Sequence, residues 1–250
     1  MASPNPRPTK AALSKSVISC VENGNRLLDE MCDLEFRSIV ATRYFLAMIA
    51  QEEFAKAFLL LLVRDDIVPF TPEVLRAMND HACKQLLGIV MDYIIMHWDE
   101  IEELEAMIAS DGGPNGPFPS NVSSAINLLR HEKIRRWESH NWFWAEDPEY
   151  DRETVAVADG KKDRRKQDAL YIRIGRDGRS VNNPATVTEV ECSLEKERAS
   201  RYARLLESAI EGAEQNFRFE KAIVALKTLF QNTNMVAEAV GREGIPRAQS

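Results

Sequence analysis

Residues 41–62, ATRYFLAMIAQEEFAKAFLLLL, place two acids and a base in the middle of an otherwise apolar helix. At about 100° per residue, Phe45, Ile49, Glu52, Glu53, Lys56 and Leu60 share one sector, while Met48, Ala50, Phe54, Ala55 and Phe58 cover the rest. A helix apolar on nearly every side is a buried helix, so Glu52, Glu53 and Lys56 are expected on a buried face. An unpaired buried charge is costly enough that it takes a partner or changes its protonation. The stretch therefore predicts a polar site between helices. The simpler alternative is an i, i+4 pair of Glu52 and Lys56 on a partly solvated edge.

The chain around this helix has 250 residues, 44% of them apolar, enough to bury a large core. Its net charge of −7 argues against a nucleic-acid binder that works by overall charge and leaves room only for a local basic patch. Cys20, Cys32, Cys83 and Cys192 are too scattered for zinc pairs, and no secretory leader accompanies them; reduced thiols in the cytoplasm are expected. MASPNPRPTK, residues 1–10, reads as a disordered arm. The apolar run from Ile39 to Val63 is long enough to span a bilayer, but Arg43, Glu52, Glu53 and Lys56 make insertion expensive, so no membrane span is expected.

Helical periodicity dominates the first 140 residues and predicts an all-α fold. Leu13, Val17, Cys20, Val21, Leu27, Leu28 and Met31 mark a helix from about 11 to 32, with Gly24 weakening its middle. A second helix, about 36 to 64, stops before Asp65-Asp66-Ile67-Val68-Pro69. Thr71-Pro72-Glu73 then caps a third, expected to run from about 72 to 109. Asp99, Glu100, Glu102, Glu103 and Glu105 at its far end read as a solvated acidic face. DGGPNGPFPS, residues 111–120, is a break, and a fourth helix is expected from about 121 to 140. NWFWAEDPEYDRETVAVADGKKDRRKQ reads as an irregular insertion. ALYIRIGRDGRSV, residues 169–181, predicts a small β-hairpin turning at Asp177-Gly178. Thr188 and Glu191 form a capping box that opens a helix to about 211, and a last helix covers about 214 to 231. The expected organisation is one helical domain over 11–232, with residues 141–185 inserted and 233–250 as a flexible tail.

Four histidines limit the chemistry. His81 follows Arg76 by five residues and precedes Lys84 by three, although Arg76 and His81 stand about 140° apart on an ideal helix. A helix pair of Arg76 with Asp80 explains the arginine without catalysis. LRHEKIRRWESH pairs His131 with Arg135 and Arg136 with His140 at i, i+4. Imidazole beside guanidinium suits phosphodiester cleavage, because one moves the proton of a ribose 2′-hydroxyl and the other holds the pentavalent phosphate. The same pattern also describes an ordinary basic helix face.

No Glu-x-x-His occurs, as a di-iron bundle requires, and His131-Glu132 lacks the second histidine of a zinc protease; no metal site and no cofactor are expected. Walker and dinucleotide loops are absent too. Trp137, Trp142, Phe143 and Trp144 read as core or interface, or as a base-stacking platform. Residues 160–180 hold eight basic side chains against three acidic ones, the chain's basic patch.

ENGNRLLDEMCDLEFRSIVATRYFLAMIAQEEFAKAF, residues 22–58, with His81-x-x-Lys84 and the later ALYIRIGRDG and Pro184, resembles the AbiV abortive-infection proteins, a branch of the HEPN superfamily. The resemblance spans about residues 20 to 210. It implies a helical bundle that commonly forms homodimers, and a role in phage defence as a toxin or effector that cleaves RNA without a metal or blocks translation. On that reading His81 is the acid/base, Arg76 and Lys84 hold phosphate, and Glu53 with Lys56 orients them. The superfamily's Arg/His motif usually opens the last helix, yet residues 189–231 carry Arg198, Arg201 and Arg204 and no histidine. Arg135 with His140 is accordingly the reserve pair. The competing expectation is a non-catalytic helical module that binds a phage or host protein.

Overall fold

The computed structural model describes residues 7–37, 39–100, 103, 119–129, 150–210, 221, 224 and 227. The described residues hold no strand and form the helices α1 Lys10–Asp33, α2 Val40–Arg64, α3 Pro72–Ala77, α4 His81–Met96, α5 Ser120–Asn127, α6 Arg152–Ala158, α7 Lys161–Asp168 and α8 Glu189–Ile210. The fold is all-α. Its central rod is α2, against which α1, α4, α7 and α8 pack.

α2 buries Phe54, Phe58, Leu59, Leu61, Leu62 and Val63 almost completely, which accounts for its all-round apolar sequence. α1 begins at the side chain of Thr9, which accepts from the backbone N–H of Ala12, and its stripe of Leu13, Val17, Val21, Leu27 and Met31 is buried. Gly24 does not interrupt it. A Cβ at Gly24 would stand 2.4 Å from the Phe54 ring, so the missing side chain is what lets α1 and α2 approach. Gly88 of α4 does the same for Tyr202 of α8, whose hydroxyl donates to the Gly88 carbonyl at 2.8 Å.

Over residues 72–100 the expected third helix is two helices and a 3₁₀ turn, and all but residue 103 of its expected stretch 101–109 lies outside the described residues. α3 ends at Ala77, and the Asp80 side chain accepts from the Cys83 N–H at 2.8 Å, starting α4 afresh at His81. Asn79-Asp80 carries this signal: both residues favour caps over helix interiors. The i, i+4 spacing of Val74, Met78, Ala82 and Leu86 runs across the break and hides it.

The insertion also differs from the expected irregular chain. Asp151 caps α6 through the Thr154 N–H at 2.9 Å, and Gly160, at φ +81°, makes the left-handed junction into α7. The hairpin is reduced to one antiparallel bridge, Ile174 with Ser180, around Gly178 at φ +77°. Leu170, Ile172 and Ile174 are exposed, so no buried face supports a second rung. The capping box is present: Glu191 accepts from the Thr188 N–H at 2.8 Å and Thr188 from the Glu191 N–H at 3.2 Å. Among the described residues no helix is long and apolar enough to cross a membrane. Residues 130–149, with most of the expected fourth helix, and nearly all of 211–250 lie outside the described residues.

Gly24→Ala is expected to destabilise the fold by about 1–3 kcal/mol, the cost of overpacking a closed helix contact, despite alanine's better helix propensity. Urea unfolding of wild type and variant measures it; a stabilised variant would contradict the close approach.

Candidate functional site

The centre of the molecule is Glu52, whose side chain is 3% exposed and which holds groups from two other helices. Its Oε1 accepts from Lys166 Nζ at 2.6 Å and from Gln85 Nε2 at 3.3 Å; its Oε2 meets His81 Nδ1 at 2.6 Å and Lys84 Nζ at 3.0 Å. His81, Lys84 and Gln85 occupy the first turns of α4, where the Asp80 cap fixes them. Lys166 comes from α7 with Asp163, its i−3 neighbour, at 2.7 Å; that contact is an ion pair without hydrogen-bond alignment. Two carboxylates thus face two ammonium groups and an imidazole.

Burial pushes the Glu52 carboxyl up, but the hydrogen bonds and charges of Lys166 and Lys84 outweigh it, and the net shift is below the ordinary carboxylate range. Glu52 is therefore an anion. A carboxylate cannot donate, so at 2.6 Å the proton lies on His81 Nδ1, which leaves Nε2 as the unprotonated nitrogen of the neutral ring. The 3.0 Å approach of Lys166 Nζ to the same Nδ1 is then a contact of two donors that share the Glu52 and Asp163 oxygens. The His81 side chain is 46% exposed, so the ring runs from a buried anchor to the surface.

Glu52, His81 and Asp163 offer ligand atoms within 4.8 Å of one another, a spacing that suits a metal ion. Lys166 Nζ already stands 2.6, 3.0 and 2.7 Å from those three groups, so the chain's own ammonium takes the cation's position.

Of the residues expected at the site, the structure brings His81 and Lys84 together, but around Glu52. Glu53 and Lys56 pair with each other at 2.5 Å, partly buried, and their charges bear on Cys20 of α1. The helical rows explain the difference. Glu52 follows Met48 and precedes Ala55 and Leu59, each 1% exposed, whereas Glu53 lies with Ile49 and Lys56 on the shallower side. The alternative of a Glu52–Lys56 pair is thus not found; Lys56 pairs with Glu53. Lys84, 7% exposed and engaged by Glu52, is an anchor of the acid and not a free phosphate ligand. Arg76 lies on α3, 63% exposed, and pairs with Glu73 at 3.2 Å, neither joining Glu52 nor meeting Asp80. Arg135 and His140 lie outside the described residues, as does His131.

Sequence reasoning missed Asp163, Lys166 and Gln85. Of the basic patch, Lys166 alone is buried, paired with Glu52; Arg165 pairs with Glu191 at 2.8 Å and Arg173 with Asp168 nearer the surface. Further along α2, Arg43 pairs with Glu189, and Gln51 Nε2 donates to the Glu195 carbonyl and carboxylate at 2.9 and 2.8 Å. α8 reads this part of the polar face. Searches against models of protein families, curated proteins and solved structures each found no match.

Because folding lowers the Glu52 pKa, its stabilising contribution is present above the unfolded carboxylate value near 4.5 and is lost as pH falls through the folded value. Wild type should lose stability on acidification in this window. Glu52→Gln should flatten that part of the profile and cost about 3–5 kcal/mol at neutral pH, since two buried lysines lose their acid. Urea midpoints across pH measure both; an unchanged profile would show Glu52 to be no stronger an acid folded than unfolded.

Proposed function

We propose that this protein is an AbiV-like HEPN effector of phage defence, acting as a metal-independent ribonuclease centred on His81. The observation that carries the reading is the half-exposed imidazole whose Nδ1 is tied at 2.6 Å to a buried carboxylate. Such a carboxylate fixes ring orientation and tautomer and stabilises the imidazolium that forms when Nε2 takes a proton. In RNA cleavage that proton comes from a ribose 2′-hydroxyl. The oxygen attacks the adjacent phosphorus, the 5′-oxygen leaves as a hydroxyl by taking up that proton from the imidazolium through water, and a 2′,3′-cyclic phosphate results with His81 neutral again. Lys84 and Lys166 keep Glu52 ionised through the cycle, and Lys166 supplies internally the positive charge that a metal would bring.

Arg76, in the last turn of α3 and five residues before His81, remains the candidate phosphate ligand, free to reach because its pairing with Glu73 is exposed. The domain acts in the cytoplasm, as a homodimer, with RNA as substrate.

A second reading has its own observation. Tyr171, Ile172, Ile174 and Val181 are each exposed on the loop after α7, apolar side chains interleaved with exposed arginines that a phage or host protein could engage. Under it the protein binds and does not cleave.

Purified protein incubated with RNA in the presence of a chelator should yield cyclic-phosphate ends. His81→Ala should lower the rate by about 10²–10⁴-fold, the usual worth of a positioned proton-transfer group. Cleavage by His81→Ala at the wild-type rate would remove the assignment, and no cleavage by wild type alongside intact phage protection would favour the binding module.

A further inference from the structure

His81 stands among charges that balance. Its Nδ1 meets the Glu52 carboxylate of α2 at 2.6 Å, the Lys166 ammonium of α7 at 3.0 Å and the Asp163 carboxylate of α7 at 3.9 Å. On its own helix, Lys84 pairs with Glu52 at 3.0 Å. Two acids therefore face two ammonium groups, and a neutral ring leaves the cluster without net charge. The other charged groups nearby are engaged elsewhere. Asp80 spends its Oδ1 on the Cys83 N–H, and Arg76 pairs with Glu73. Lys162, next to Asp163 in the chain, lines a cavity of about 320 Å³ between α4, α5, α6, α7 and α8 that His81 does not line.

Asp163 is the member of this balance whose bonds leave it unspent. Its Oδ2 accepts from Gln167 Nε2 at 2.7 Å, within the same helix. Its Oδ1 is buried and makes no hydrogen bond among the described residues, yet stands 2.7 Å from Lys166 Nζ. Lys166 needs no second acid to stay in place, because Glu52 Oε1 already accepts from it at 2.6 Å. Glu52, however, is one charge shared by two ammonium groups and the ring. A ring that takes a proton at Nε2 becomes a cation beside the ammonium of Lys166, and like charges at this distance repel strongly in a partly buried site. Without Asp163 the cluster would carry one net positive charge before that proton arrives; with Asp163 it carries none.

We infer that Asp163 is a positioning residue for His81: its carboxylate offsets the ammonium of Lys166, so that the ring accepts the substrate's proton against less repulsion. The inference rests on the reading of His81 as the group that moves the proton, and gives a role to an acid that reading left unused.

Nitrogen-15 NMR of the labelled His81 ring, followed across pH in the full chain, tests it without any RNA. Asp163→Asn should move the midpoint of the ring's protonation down by about one pH unit or more, the effect of one charge about 4 Å away near a protein surface. Asp163→Ser, equally neutral, should do the same and serves if the asparagine disturbs α7. Asp163→Glu keeps the charge and should stay within about 0.3 unit of wild type, well inside the effect of losing it. Asp163→Asn combined with Lys166→Gln removes both charges and should bring the midpoint back up. In RNA cleavage, the acid limb of kcat in Asp163→Asn should move down by the same amount, with KM within about twofold of wild type. An unmoved or raised midpoint in both neutral variants, or an equal drop in Asp163→Glu, would overturn the inference. An unmoved midpoint in a wild type that cleaves RNA removes the role of Asp163 alone, whereas a shifted midpoint in a protein that cleaves no RNA removes the ribonuclease reading and the substrate's proton with it.

Discussion

One buried carboxylate organises this protein. Glu52 sits on the deepest row of the central helix and is shared by Lys84, Gln85 and His81 of α4 and Lys166 of α7. Withdrawing two ammonium groups and a carboxylate from water costs several kcal/mol per ion before any attraction is counted, so apolar residues of the same volume would hold the helices at least as well. Stability therefore does not explain the cluster. What an apolar core could not do is hold an imidazole by one nitrogen and present the other to solvent, and that is the arrangement found. Groups with environments pushed this far from water, next to an exposed edge, are where functional sites concentrate.

The same constraint explains the local structure. His81 and Lys84 reach Glu52 only because α4 restarts at Asp80, which places both in its first turn. Lys166 reaches it only because Gly160 turns the chain left-handed between α6 and α7, bringing an eight-residue, highly charged helix onto α2 and α4. That helix works on both sides. Asp163 and Lys166 complete the Glu52 cluster, while Lys162 lines the neighbouring cavity and also the small void of about 10 Å³ behind Glu52. A helix this short keeps its place through tertiary contacts, since isolated segments of its length do not persist in water.

Much of the scaffold was legible in the sequence. α1 and α8 follow from an apolar stripe and a reciprocal cap, both local signals, and the polar residues inside α2 announced a buried site. The choice between Glu52 and Glu53 was also within reach, because the row through Met48, Ala55 and Leu59 is wholly apolar whereas the row through Ile49 contains Lys56. Periodicity concealed the break at Asn79-Asp80, where apolar spacing continues in phase across two caps. The lysine that completes the site was hidden for another reason. Lys166 is 114 positions from Glu52, and a charged run such as KKDRRKQ reads as solvated until tertiary structure shows which of its members turn inward.

The central claim is that an ionised, buried Glu52 holds His81 by Nδ1. Nitrogen-15 NMR of the His81 ring, selectively labelled in the wild-type protein and recorded where the imidazole is neutral, reads this directly through the shifts of its two nitrogens. The account predicts a protonated Nδ1 and a bare Nε2. A ring that carries its proton on Nε2, as free histidine prefers, would contradict it.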